Sequence, residues 1–157
     1  MVAACSSGFA ATAPQTVILV RHAERAGGTE ANVGLSDAGR CRAEALARML
    51  TDAGIKHIFV SEVARTQQTA KPLATKLGLT REIIPADDAA ALVTRIRKAG
   101  VALVVGHSNT VPDIIKRLGG GTVPPIDDAT FDRMFIVTLI DTTHASVVTL
   151  HYAGCAQ

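Results

Sequence analysis

The sequence contains no tryptophan, one tyrosine and four phenylalanines, so it lacks the aromatic platforms on which bases stack. It also lacks charge of one dominant sign: 16 Lys and Arg stand against 14 Asp and Glu, a formal +2, too even for a surface that tracks a phosphate backbone. Both absences exclude nucleic acid as a partner. No run reaches the ~18 consecutive apolar residues that span a bilayer, so no integral membrane span is expected. The three cysteines form no C-x-x-C pair, which excludes a zinc knuckle and a thioredoxin-like redox site. Internal repeats and domain linkers are absent too. What remains is a chain of 157 residues, 48% hydrophobic, with enough apolar surface for one folded domain and too much of it for disorder.

Residues 1–15 are small and polar without apolar periodicity and read as an N-terminal tail before a domain at 16–157. Within the tail, Val2-Ala3-Ala4-Cys5 resembles the lipobox at which bacterial lipoprotein signals are cut, although the basic start and apolar segment of such a signal are missing. Two readings stay open: a trimmed signal, with the protein in the cell envelope or periplasm and lipid-anchored at Cys5, or a chance run in a cytoplasmic protein. Cys41 lies among Ala and Leu at helical spacing and reads as inert core. A bond between Cys5 and Cys155 is open in an oxidising compartment.

From Gln15 onward, short β-branched runs alternate with helical stretches. That is the pattern of a mainly parallel sheet with helices on both faces, an α/β three-layer sandwich. Strands are expected at Val17 to Val20, Ile58 to Val60, near Ile83 and Ile84, and at Val101 to Val105. Helices are expected from Ser36, a plausible N-cap, to Gly54; from Val63 to Gly78, kinked or split at Pro72; from Asp88 to Lys98; and from Thr110 to Leu118. Met134 to Ile140 and Ser146 to Tyr152 read as a C-terminal antiparallel hairpin.

The chemistry gathers at strand ends, where open α/β sheets bind ligands. Arg21-His22-Ala23-Glu24-Arg25 follows the first strand, Ser61 and Arg65 the second, and Gly106-His107-Ser108-Asn109 the strand ending at Val105. Converging arginines and histidines make a cationic pocket, and the planar arginine fork suits a phosphoryl group. Backbone N–H groups of Ser108 to Thr110 at a helix start add to its anion affinity.

These residues resemble the histidine phosphatase superfamily, which also contains the cofactor-dependent phosphoglycerate mutases. The resemblance runs from Val17 to about Gly119. It is carried by the RHA motif of Arg21, His22 and Ala23 behind an apolar strand. Leu35, Ser36, Gly39 and Ala43 match L-S-x-x-G-x-x-x-A; Ser61, Arg65, Thr69 and Ala70 match S-x-x-x-R-x-x-x-T-A; and Val104 to Ser108 match V-x-G-H-S. It implies a phosphoglycerate mutase-like fold and a hydrolase that uses neither metal nor cofactor. It further implies His22 as nucleophile, with Arg21, Arg65 and His107 around the phosphate. Chemically, His22 needs one protonated nitrogen held by a backbone carbonyl and the other free, passing through phosphohistidine, while Arg21, Arg65 and a protonated His107 neutralise the phosphoryl oxygens. Arg25 could reach the phosphate or the leaving part. Ser36 reads as a cap, and Ser61 as a cap, a ligand contact or both. Glu24 reads as a partner for a neighbouring arginine, and His57, His144 and His151 as structural.

The general acid departs from the family pattern. Many members carry a Glu in an L-x-E-x-x-x-G-like segment. Here Glu82 has no such glycine and starts a strand, so it is expected to point away from the pocket, while Asp87 or Asp88 sits at a strand-to-helix junction and Asp88 also suits an N-cap. The small branch resembling this chain includes phosphohistidine phosphatases without a strong acid, enzymes suited to good leaving groups. The expected substrate is a small phosphorylated molecule or a phosphohistidine protein. Mutase activity is disfavoured because the long enclosing insertions are absent. A phosphoryl-binding module without turnover is the competing class.

Overall fold

The computed structural model describes residues 15–155. Among these, the elements run β1 (Gln15–Arg21), α1 (Asp37–Leu50), β2 (His57–Val60), α2 (Ala64–Leu77), β3 (Arg81–Ile83), α3 (Ala89–Ile96), β4 (Val101–Gly106), α4 (Thr110–Arg117), β5 (Arg133–Leu139) and β6 (Ala145–His151). The six strands form one sheet in the order β3-β2-β4-β1-β5-β6. β3, β2, β4 and β1 run parallel, and β5 and β6 close the sheet as the antiparallel pair expected from the sequence. Val2 to Cys5 lie outside the described residues.

The inner strands are apolar throughout because both faces are covered. Alternation then sorts their side chains: Ile18, Val20, Ile58, Val60, Leu103 and Val105 pack with Leu46, Leu50, Ala70 and Leu73 of α1 and α2. Val17, Leu19, Phe59, Ala102 and Val104 pack with Ile96, Val111, Ile114 and Ile115 of α3 and α4 on the other side. No helix among the described residues is long and apolar enough to cross a membrane.

Three local expectations need correction. Pro72 does not split α2; the helix is continuous from Ala64 to Leu77, where Gly78 closes it at φ 66°. Proline forfeits one helical hydrogen bond and costs ~3 kcal/mol in an isolated helix; burial of Thr69, Ala70, Leu73 and Ala74 on either side of it outweighs that loss. Gly54 does not end α1, whose C-cap is Thr51, with its hydroxyl donating to the Ala47 carbonyl at 2.7 Å. Cys41 is not core. It is half-buried on α1 and is bonded to Cys155, with Cα atoms 5.7 Å apart, so Cys155 has no capacity left for Cys5.

Strand register builds the site. β1 and β4 are parallel neighbours with Arg21 opposite Gly106, and the His22 N–H donates to the Gly106 carbonyl at 2.9 Å. The next residue on each strand is a histidine, so His22 and His107 leave the sheet side by side. Val60 lies opposite Val105, which sets Ser61 on the other flank of His107.

Candidate active site

Beyond those strand ends lies a cleft of about 810 Å³, lined among others by Arg21, His22, Arg25, Arg65, Asp87, His107 and Ser108. The two imidazoles stand with ring centroids 5.4 Å apart. His22 is buried, and its Nδ1–H donates to the Ala23 carbonyl at 2.8 Å. A carbonyl only accepts, so this bond fixes the tautomer and leaves Nε2 with a lone pair. Burial first, then repulsion from Arg65, Arg21 and His107, pushes the His22 pKa down to about 4. It is neutral at pH 7.

Each motif has a mechanical reason. Thr69 lies one helical turn after Arg65 and accepts from the Ala23 N–H at 2.9 Å while donating to the Arg65 carbonyl at 2.7 Å, so one hydroxyl ties the RHA loop to α2. Ser36 caps α1 by accepting from the Gly39 N–H, and its own N–H donates to the Glu24 carbonyl at 2.9 Å. Gly39 has no room for a side chain: a Cβ there would lie 2.1 Å from that carbonyl oxygen. Glu24 does take an arginine, Arg42 of α1, in a forked pair with Nη2 to Oε1 at 2.7 Å.

Ser61 is not the side-chain cap of α2, whose N-cap is Val63. The first N–H of that helix, Ala64, instead donates to Asn32 Oδ1 at 2.7 Å, a residue of the loop after β1. Ser61 Oγ lies 3.0 Å from His107 Nε2 and 2.9 Å from the Thr66 hydroxyl, and so orients the second histidine. Among the described residues His107 Nδ1 has no hydrogen-bond partner. Burial first, then Arg65, lowers the His107 pKa, against an opposing pull from Glu62 and with a smaller push from Arg21. An anion arriving in the cleft reverses the sign of that field.

Arg21 is buried, its Nη1 donating to the carbonyls of Asp127 at 2.6 Å and Thr130 at 3.1 Å, with its guanidinium 4.2 Å from the Phe131 ring centroid. Arg65 Nη1 donates to the Ala31 carbonyl at 3.1 Å. Among the described residues the Nε–H groups of both arginines are buried without an acceptor. Two orphaned cationic donors beside the neutral His22 imidazole form a site short of an anion. Ser108, Asn109 and Thr110, at the N-terminus of α4, line the same wall.

Arg25 lines the cleft, exposed, with Nη2 donating to the Gly28 carbonyl at 2.9 Å. Asp87 lines it too. Glu82 does not: its carboxylate takes His57 Nδ1–H at 2.8 Å and Arg95 of α3. Burial opposes ionisation there, but those two donors hold the carboxyl below the usual carboxylate range. Asp88 caps α3, accepting from the Ala91 N–H. His144 pairs with Asp141 and His151 with Asp132, both away from the cleft. Sequence reading missed the loop before β5, which supplies Asp128, Phe131 and the two carbonyls that hold Arg21. The pair Asp127-Asp128 beside Phe131 in a chain poor in aromatics was its only signal.

The model of the histidine phosphatase superfamily (branch 1) matches residues 17–88, which carry Arg21, His22, Ser61, Arg65 and Asp87. Over those residues the chain is similar to the histidine phosphatase superfamily. The match supports a phosphatase enzyme. No curated protein matches it in sequence. Among solved structures it is similar to the protein histidine phosphatase SixA complexed with tungstate, at 20% identity and TM-score 0.73, covering 87% of this chain and 96% of that one. It is also similar to the alpha-ribazole phosphatase of Shigella flexneri (18%, TM-score 0.68, 87% and 96%). A third is a mycobacterial glucosyl-3-phosphoglycerate phosphatase (14%, TM-score 0.66, 90% and 100%). At these identities the likeness is one of fold.

Proposed function

We propose that this protein hydrolyses a phosphomonoester or phosphoramidate through a phosphohistidine on His22, without a metal. The observation that carries the reading is the His22 tautomer: Nδ1–H committed to the Ala23 carbonyl leaves a neutral Nε2, within a pocket whose Arg21 and Arg65 Nε–H groups lack acceptors among the described residues. In the first step Nε2 attacks phosphorus, a P–N bond forms, and the bond to the leaving oxygen or nitrogen breaks, that atom taking a proton from solvent or Asp87. In the second, water attacks phosphorus, the P–N bond breaks, phosphate leaves and the imidazole is restored. Arg21, Arg65 and His107 neutralise the equatorial oxygens, the charge work that a metal does elsewhere.

With Glu82 committed to His57 and Arg95, the carboxyls lining the cleft are those of Asp87 and Asp128, the latter exposed and 3.8 Å from Arg21 Nη2. This supports substrates with good leaving groups, such as a phosphohistidine side chain or an acidic phosphate ester. It also sustains a second reading, a phosphoryl-binding module without turnover. The Cys41–Cys155 bond supports an oxidising compartment, the cell envelope or periplasm. A phosphatase screen in chelator, spanning phosphohistidine peptide, sugar phosphates, nucleotides and aryl phosphate, tests the proposal. Turnover lost in His22→Ala is the expected result; vanadate binding with no turnover on any substrate favours the binding module.

A further inference from the structure

Glu24 lies two residues beyond the nucleophile and one beyond the carbonyl that sets its tautomer. Its backbone is pinned by Ser36 and the bare Gly39, and its carboxylate by Arg42, as described above. Arg42 is held in turn from the far end of the chain. Its Nη1 donates to the Tyr152 carbonyl at 3.0 Å, and its guanidinium lies 5.5 Å from the Tyr152 ring centroid. Gly154 lies over the same guanidinium: a Cβ added there would stand 3.5 Å from Nη2. The residue before Arg42 is Cys41, and the one after Gly154 is Cys155. The disulfide therefore straps the segment 152–155 across α1 directly over the guanidinium that grips the nucleophile loop.

A forked arginine–carboxylate pair requires a fixed guanidinium plane. Tyr152 is anchored by its N–H to the Asp132 carbonyl at 2.9 Å and by its buried ring, but beyond it the disulfide is the sole covalent tie of that segment to α1. We propose that Arg42 is a positioning residue for the His22 loop and that the Cys41–Cys155 disulfide keeps it in place, so that the disulfide-bonded chain turns over faster than the dithiol chain. The proposal rests on the phosphatase reading. The affected quantity is the aim of Nε2, because Arg21 is held by the carbonyls of the loop before β5 and Arg65 is carried on α2. Misplacing a reacting atom by an ångström is felt as a loss of up to about 10²-fold.

The test compares the oxidised protein with the protein treated with dithiothreitol, which becomes its cyclic disulfide as Cys41 and Cys155 take up two electrons and two protons. Reduction should lower kcat on aryl phosphate by roughly three- to tenfold and leave KM within about twofold. Cys155→Ser should show the same loss and no longer respond to dithiothreitol. Arg42→Gln should lose at least as much, also without response, and Arg42→Lys should recover part of it. The ¹⁵N shifts of the His22 imidazole, read without substrate, should differ between the two redox states. Equal kcat with unchanged His22 shifts in a folded, reduced protein overturns the proposal. Inertness of the oxidised protein toward every phosphate substrate overturns the phosphatase reading instead, and the shifts alone then decide whether the strap reaches His22.

Discussion

A nucleophilic histidine in a field of cations is easy to keep neutral and hard to replace. His22→Ala should lower kcat/KM by more than about 10³-fold, since a nucleophile removed from a cooperating set costs nearly the whole chemical step. Glu82→Gln should change turnover less than about tenfold, because a missing general acid is felt as 10²- to 10⁴-fold and this carboxylate faces His57 and Arg95. Asp87→Asn separates two roles: a loss that grows from aryl to alkyl phosphate marks a proton donor, an equal loss a positioning group. A ¹⁵N titration should place the His22 transition near pH 4 in the free protein. Adding phosphate should move it upward, since a bound anion offsets the repulsion of Arg21 and Arg65. No upward movement would mean that the anion binds elsewhere.

At the scale of the elements, the motifs act as joints between strands and helices. Gly39→Ala would set a methyl 2.1 Å from the Glu24 oxygen, and either α1 or the His22 loop must shift. A loss of at least about 2 kcal/mol in urea unfolding is expected, well beyond the ~0.5–1 kcal/mol that alanine normally gains over glycine in a helix. Such elements were legible in advance where periodicity or spacing defines them: β1 and β4 from apolar runs, Ser36 from its capping pattern, the His22 and His107 pair from strand ends. The anchors of Arg21 were not, because backbone carbonyls of Asp127 and Thr130 can come from any residue in an aperiodic loop. Nor was the Cys41–Cys155 bond: the spacing of Cys41 suits a core face, and nothing in a separation of 114 residues foretells a Cα distance of 5.7 Å. The role of Ser61 hid behind two commoner ones, cap and ligand contact.

For the whole molecule, two linkages set the stability. Closing a loop this long removes unfolded-state entropy, and reducing the disulfide should cost about 2–4 kcal/mol, seen as a lower urea midpoint. The buried His22 adds a pH dependence. Its pKa is about 4 folded against an ordinary 6.5, so the unfolded chain binds the extra proton. Stability is then complete above pH 6.5 and lost as pH falls toward 4, by on the order of 3 kcal/mol for this group. His107, lowered in the same direction, adds to the loss. Urea unfolding at pH 7 and at pH 4.5 should show the drop, and His22→Gln should reduce it.

The central claim is that a bond forms between phosphorus and Nε2 of His22. It is tested most directly by mixing the protein with ³²P-labelled phosphohistidine peptide or aryl phosphate in chelator, quenching in alkali within the first turnover, and mapping the label by mass spectrometry. The account predicts acid-labile phosphate on the peptide carrying His22, and none in His22→Ala. Turnover with no labelled protein, or label on His107 instead, would contradict it.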